Sequence, residues 1–275
     1  MIRELTAAEA ATAIEWAAAE GWNPGHGDLP CYRAQDPGLF LGNFVAGRLA
    51  SVISATRYGA DFGFIGFYIA KPEVRGQGHG IAVWQAAMAR LEGRLVGLDG
   101  VVAQQDNYRK SGFVLAFNNI RFGGVPQALP RDQAMLVPIN EVPRAALHAL
   151  DATVFPAPRE AFWDAWLTAP RHVGRALLRD GRLAGFGVIR PCRTGHRIGP
   201  LVADDEAGAR SLLAALIAEA PGEVFLDVPE PHGAAVALAQ SLGLRPVFEA
   251  ARMYTGAAPP IAMSSLWGIT SFELG

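Results

Sequence analysis

The chain has 275 residues, 51% of them hydrophobic and 18% charged, with 24 basic groups against 26 acidic ones. That length favours two domains, and that apolar content suits folded cores and excludes a disordered chain. A formal net charge of −2 gives no basic footprint for nucleic acid or an anionic membrane. No apolar run approaches the roughly 18 residues of a membrane span, and Met1-Ile2-Arg3-Glu4 lacks the apolar stretch of a signal peptide. Cys31 and Cys192 are too far apart in the chain for a disulfide framework or a thiolate zinc site. The expectation is a soluble cytoplasmic protein with no metal, membrane or nucleic-acid partner, its oligomeric state left open.

In chain order, residues 2–5 read as a strand, and Thr6-Ala7-Ala8-Glu9 is a capping box that opens a helix. The turn-rich stretch from Gly21 to Asp28 stops that helix. Residues 39–45 and 49–56 straddle Ala46-Gly47-Arg48, as a hairpin does. Residues 62–70 are nearly all apolar, which predicts a buried central strand; Gly63 and Gly66 allow a bulge or a close backbone approach within it. Val74-Arg75-Gly76-Gln77-Gly78-His79-Gly80 follows. Its glycines let the backbone approach a ligand, and the helix behind it offers unpaired N–H groups that favour an anion. A flexible strand-to-helix turn is the other reading. Ile81, Trp84, Met88 and Leu91 recur at helical spacing, so residues 80–92 should form an amphipathic helix. A strand over 94–98, a short helix and a further strand complete the unit.

The pattern then recurs. Gly47-Arg48-Leu49-Ala50 returns as Gly181-Arg182-Leu183-Ala184, and residues 2–6 face 136–140 at the same offset. Asn140 stands where Thr6 caps the first helix, and Pro143 falls in the opening turn of the second. Ser111-Gly112-Phe113 faces Leu242-Gly243-Leu244 at a slightly shorter offset. Duplication places one unit over 1–131 and a second over 132–275, joined through a stretch punctuated by Pro126, Pro130 and Pro138. Strands and helices in this alternation predict an α/β (α+β) layer architecture with a mixed sheet.

Arg75-Gly76-Gln77-Gly78-His79-Gly80 matches the Arg/Gln-x-x-Gly-x-Gly/Ala loop of the GNAT N-acetyltransferases, and Tyr108-Arg109-Lys110-Ser111-Gly112-Phe113 matches that family's Tyr-x-Lys-x-Gly-Phe motif. The chain therefore resembles this family over residues 1 to about 124, and as a whole it resembles the bacterial tandem GNAT proteins. The resemblance implies a mostly antiparallel mixed sheet with helices on both faces in each unit. It also implies acetyl-CoA as co-substrate, with Val74, Arg75, Gly76, Gln77, Gly78, His79, Gly80 and Ile81 at its pyrophosphate. Backbone N–H groups of Phe67, Tyr68, Ile69 and Ala70 would meet the oxyanion where two strands splay. Asn107 is a candidate for the pantetheine arm, ahead of Gln104 and Gln105. Trp22, His26 and Asp28 fall in the region that walls the acceptor site in the family, although a plain helix stop also explains them.

Tyr108 is the candidate general acid, since a phenol remains protonated at neutral pH yet can protonate a departing thiolate. Packing under the short helix is its other reading. Asp99 is the first candidate for a general base; an ordinary turn residue, or direct attack by a neutral amine with no base, stays open beside it. A P-loop is excluded because Ile81 follows Gly80, and the G-x-G-x-G spacing disfavours a dinucleotide loop. In the second unit Asp204-Asp205-Glu206 replaces the glycine loop and Ala239 replaces the tyrosine. Acids at a helix start stabilise the helix and repel a pyrophosphate, so this unit is expected to be non-catalytic. The expected activity is acetyl transfer to the amine of a small molecule or amino-acid derivative, with a catalytically silent acyl-CoA sensor as the alternative.

Overall fold

Thr6 opens the first helix as its capping box requires. Its hydroxyl accepts from the Glu9 amide at 3.3 Å, and the Glu9 carboxylate accepts from the Thr6 amide at 2.9 Å. In this computed structural model, which describes residues 1–127, 129 and 134–275, the first unit runs β1 (Ile2–Glu4), α1 (Ala7–Ala19), α2 (Asp28–Gln35), β2 (Phe40–Val45), β3 (Arg48–Tyr58), β4 (Phe62–Ala70), α3 (His79–Arg90), β5 (Leu95–Val101), α4 (Gln105–Arg109) and β6 (Val114–Gly124). The second repeats it as β7 (Met135–Pro138), α5 (Arg144–Val154), α6 (Glu160–Thr168), β8 (Val173–Arg179), β9 (Arg182–Pro191), β10 (His196–Ala203), α7 (Glu206–Ile217), β11 (Val224–Pro229), α8 (Gly233–Ser241) and β12 (Arg245–Tyr254), followed by β13 (Leu266–Gly268). The boundary at residue 131, with Pro130, lies outside the described residues.

Even the hairpin turns repeat. Ala46 and Gly47 have φ of 48° and 74°, and Asp180 and Gly181 have 50° and 73°, the paired left-handed residues that match the twist of an antiparallel hairpin. Two local expectations change. Asn140 sits in a short 3-10 turn, and α5 starts only after Pro143, because the ring of Pro143 holds Val142 extended at ψ 138°. Residues 265–274, after Pro259-Pro260, read in the sequence as a final strand, but among the described residues only Leu266–Gly268 pairs.

The described strands form one continuous sheet in the order β1-β2-β3-β4-β5-β12-β6-β11-β10-β9-β8-β7, with β13 against β10. Each unit has given its last strand to the other: β12 pairs β5 and β6 pairs β11, both antiparallel. Two reciprocal ion pairs hold this exchange. Asp99 lies directly opposite Arg252 and accepts from its Nη2 at 2.6 Å and its Nε at 2.7 Å. Arg121 lies directly opposite Asp227 and donates to it at 2.6 and 2.8 Å. Both are bidentate and buried, so a one-residue slip would separate four charges and turn every side chain to the other face.

Helices cover both faces. On one face α1, α2, α5 and α6 share a single apolar core, from Ala10 and Ile14 to Trp163 and Trp166. On the other, α3 packs Val83, Trp84 and Leu91 over the first unit while α7 and α8 pack Leu212, Leu216 and Leu238 over the second.

Candidate active site

β4 and β5 run parallel and paired only from Phe62↔Leu95 to Ile65↔Leu98, then diverge. β4 also carries one extra residue against β3, where Val52↔Ile69 is followed by Ser54↔Gly66, and Phe67 takes φ 48°. This bulge and the divergence leave main-chain groups of residues 66–70 on the β5 side outside the ladder. The Phe67 ring itself packs into the core against Tyr32 and Phe40, so only its backbone faces the gap. A cavity of about 650 Å³ opens there, lined by Phe67 to Ala70, Arg75, Gly76, Gly78, Gly80, Ile81, Trp84, Asp99 and Tyr108, among others.

The glycine loop forms the cavity's outer rim. Gly76 and Gly78 have φ of 77° and 84°, a region that a side chain strains, and Gly78 precedes α3 with no side chain capping the helix. The first N–H groups of α3 are therefore presented to an anion along with the helix dipole. Ser51 Oγ donates to the His79 carbonyl at 2.8 Å and anchors that first turn to β3. Arg75 donates to the Ala70 carbonyl at 2.9 Å and to Glu20 at 2.6 Å, placing a guanidinium at the mouth. A coenzyme A pyrophosphate fits this donor set of left-handed glycines and helix amides.

Tyr108 reaches the cavity from α4. Its ring stacks on Trp84 at 5.6 Å and lies so close over Gly100 that a Cβ there would come within 2.1 Å of it. Trp84 in turn donates from Nε1 to Ser111 Oγ at 3.0 Å and meets Tyr68 at 5.2 Å. Burial, then the neighbouring Tyr68, pushes the Tyr108 phenol up to about 12, so it stays protonated. Asp99 also lines the cavity, but both its oxygens are committed: one accepts from Arg252 and from Asn119 at 2.8 Å, the other from Arg252.

Among the acceptor-wall candidates, Trp22 lines the cavity and its carbonyl accepts from Arg121 at 2.8 Å and from Arg197 at 2.9 Å. His26 is exposed outside the cavity lining. Asp28 is buried between the units, accepting from Arg190 at 2.9 Å and Tyr32 at 3.0 Å. Asp28 thus belongs to the joint between the halves, and of His26 only the amide reaches across it, donating to the Pro191 carbonyl at 3.1 Å. Asn107 is exposed and donates to Gln104 at 2.7 Å; Gln104 is the one that reaches the cavity.

Sequence reasoning missed the far wall. Phe248 on β12, together with Phe272 and Glu273 after β13, lines the same cavity, and the Arg121 guanidinium stands 4.5 Å over the Phe272 ring. Only one signal pointed here. Gly66 was marked for close backbone approach, and a Cβ on it would meet the Glu273 carbonyl oxygen at 2.3 Å.

The equivalent gap in the second unit is filled. β10 and β11 pair parallel from His196↔Val224 to Ile198↔Leu226, and beyond that β13 adds to β10 while the Ile269 amide donates to the Asp227 carbonyl at 2.9 Å. Trp267, 2% exposed, donates from Nε1 to the Ala203 carbonyl at 3.0 Å. At the head of α7, the Asp205 side chain caps the helix through the Gly208 amide at 2.8 Å and accepts from Arg179 at 2.7 Å, so that terminus already holds an anion.

Comparison with known proteins agrees with this architecture. Residues 147–268 match the family model of the acetyltransferase (GNAT) domain. Over 266 residues the chain is 28% identical to holothin acyltransferase of Pseudoalteromonas sp. (strain SANK 73390), covering 95% of this chain and 90% of that protein. A putative acetyltransferase from Pyrococcus horikoshii superposes with a TM-score of 0.86 at 20% identity, over 100% of this chain and 95% of that one. A tandem GNAT protein from the clavulanic acid biosynthesis pathway superposes at 0.64 with 15% identity, over 94% and 99% of the two chains. Among the described residues, no group of three or more His, Cys, Asp and Glu is placed to hold a metal, and no helix is long and apolar enough to cross a membrane.

Proposed function

We propose that this chain is an acyltransferase of the tandem GNAT fold and that it transfers an acetyl group from acetyl-CoA to the amine of a small molecule held in the cavity between β4 and β5. One observation carries the reading: the strand divergence, the left-handed glycine loop and a buried tyrosine all open into the same cavity. When bound, acetyl-CoA supplies an electrophilic thioester carbonyl and a thiolate that can leave. The loop from Gly76 to Gly80 and the first turn of α3 hold the pyrophosphate. Main-chain N–H groups of Phe67–Ala70, released from the ladder, stabilise the developing oxyanion, a contribution of about 3 kcal/mol to the barrier for each well-placed donor. Tyr108 gives its phenolic proton to the sulfur. Trp84 and Gly100 fix the ring for that transfer.

A cavity of about 650 Å³ is the size of a small-molecule site, and its far side is aromatic, with Trp22, Phe248 and Phe272. That favours a compact amine over a protein tail. The name of the Pseudoalteromonas relative supports acyl transfer as the reaction. The second unit is the non-catalytic half in this reading, because residues 266–269 occupy the gap where its thioester would lie. The free buried cysteines, Cys31 and Cys192, suit a reducing cytoplasm. Thiol release from acetyl-CoA should be saturable and amine-dependent with at least one member of a panel of aniline, 2-aminothiazole, tryptamine, putrescine and glycinamide. Coenzyme A binding without release to any amine would favour a silent sensor instead.

A further inference from the structure

We propose that Glu273, delivered by the segment after β13 to the point where β4 and β5 diverge, takes the proton from the acceptor amine as it attacks the thioester. Its backbone carbonyl lies against Gly66, the first β4 residue beyond the paired stretch, so the side chain is anchored where the reacting carbonyl must sit. Glu273 is 3% exposed and lines the cavity. Its Oε2 is enclosed, with Arg197 Nη1 at 3.9 Å as counter-charge and no hydrogen bond among the described residues. A buried carboxylate short of hydrogen bonds is costly unless something else satisfies it, and an attacking N–H that reaches the carboxyl from the cavity would do so.

The segment cannot easily turn the group away. Tyr58 donates to the Leu274 carbonyl at 3.0 Å, and the Leu274 amide donates to Ser271 Oγ at 3.2 Å, so the chain is tied on both sides of Glu273. Asp99 is the rival carboxylate, but Arg252 and Asn119 take up its oxygens. The groups that face Glu273 come from several elements. Arg197 on β10 stands 3.9 Å away with its Nη1 unbonded, Arg121 on β6 also attracts the carboxylate, and Asp227 on β11 and Asp28 on α2 repel it. Burial outweighs the two arginines and raises the carboxyl above its ordinary range, toward the pH at which a base is useful.

The step balances. The C–N bond forms as the amine proton passes to Glu273, the C–S bond breaks as the Tyr108 proton passes to sulfur, and exchange with solvent restores both groups. This role rests on the proposed acetyl transfer, and the experiment separates the two. With whichever amine of the panel turns over fastest, Glu273→Gln should lower kcat by 10²- to 10⁴-fold and leave acetyl-CoA affinity by calorimetry within about threefold. The acid limb of its kcat profile should vanish as well. Glu273→Asp keeps the charge beside Arg197 and so guards against a misfolded variant; its shorter reach should cost at least tenfold in kcat with the acid limb kept. A Gln variant within threefold of wild-type kcat overturns the assignment and makes Glu273 a counter-ion to Arg197. If Gln does not fold, an Asp variant of full activity does the same. A wild-type protein that turns over no amine fails at the functional reading, before Glu273 is addressed.

Discussion

At the scale of single residues, the site depends on two kinds of placement. Gly78 supplies a backbone conformation, φ 84°, with nothing within 4 Å of a Cβ built on it. Leucine there adds local strain of about 1–2 kcal/mol, which the fold absorbs, but puts a side chain into the anion's space. Gly78→Leu should therefore retain a cooperative melt and lose measurable coenzyme A binding by calorimetry; unchanged affinity would remove the pyrophosphate from this loop. Tyr108, in the proposed transfer, supplies a proton. Tyr108→Phe keeps the ring on Trp84 and should cut turnover by roughly 10²- to 10⁴-fold with little change in acetyl-CoA affinity. A fully active phenylalanine variant would reduce Tyr108 to packing.

At the scale of elements, the exchange of β6 and β12 is what needs explaining, because neither strand pairs within its own unit. Antiparallel pairing is available to either choice, so main-chain bonds alone do not decide it. The reciprocal pairs Asp99–Arg252 and Arg121–Asp227 fix register in each exchanged strand, on identical geometry in the two halves. Arg252→Ala leaves the Asp99 carboxylate buried without its counter-ion, with Asn119 alone donating to it, and should destabilise the protein by about 3–5 kcal/mol in chemical denaturation. Asp99→Ala combined with it should cost less than the sum of the two single changes, since the charge that needed a partner is gone. Additive losses would mean that the pair does not couple the strands.

For the whole molecule, the fold makes one site out of two units. The segment after β12 first fills the gap between β10 and β11, then brings Phe272 and Glu273 to the gap between β4 and β5. Titration should find one coenzyme A per chain, abolished entirely by Gly78→Leu. A second binding event that survives the substitution would show that residues 266–269 leave their place. The exchange also makes the halves interdependent. Residues 1–131 alone lose β12, exposing the β5 edge, and lose the shared core with α5 and α6. Expressed as a fragment, they should aggregate or associate through that edge, visible by size-exclusion chromatography; a well-folded monomer would contradict the interdependence.

Much of this was written locally. The capping box at Thr6, the apolar run of β4, the helical spacing of α3 and the glycines at 76 and 78 are short-range signals, because they reflect backbone conformation and solvent exposure within a few residues. The repeat was equally legible, and with it the mixed-sheet fold of each unit. Tyr108 and the loop stand together in one cavity because their motifs lie on neighbouring elements of one unit. What the sequence did not disclose depends on pairing across large separations. Which strand lies beside β5 is decided by Arg252 meeting Asp99 across 153 positions, and no local pattern encodes that choice. His26 and Asp28 looked like Trp22 in sequence, yet only the docking of β9 against that loop draws Asp28 to Arg190 and leaves Trp22 at the cavity. Glu273 was an acid in a strand-like tail until the tail's path laid its carbonyl on Gly66. The residues of the loop specified left-handed glycines ahead of a helix N-terminus by themselves; the carboxylate beside Gly66 was placed only when two halves of the chain closed on each other.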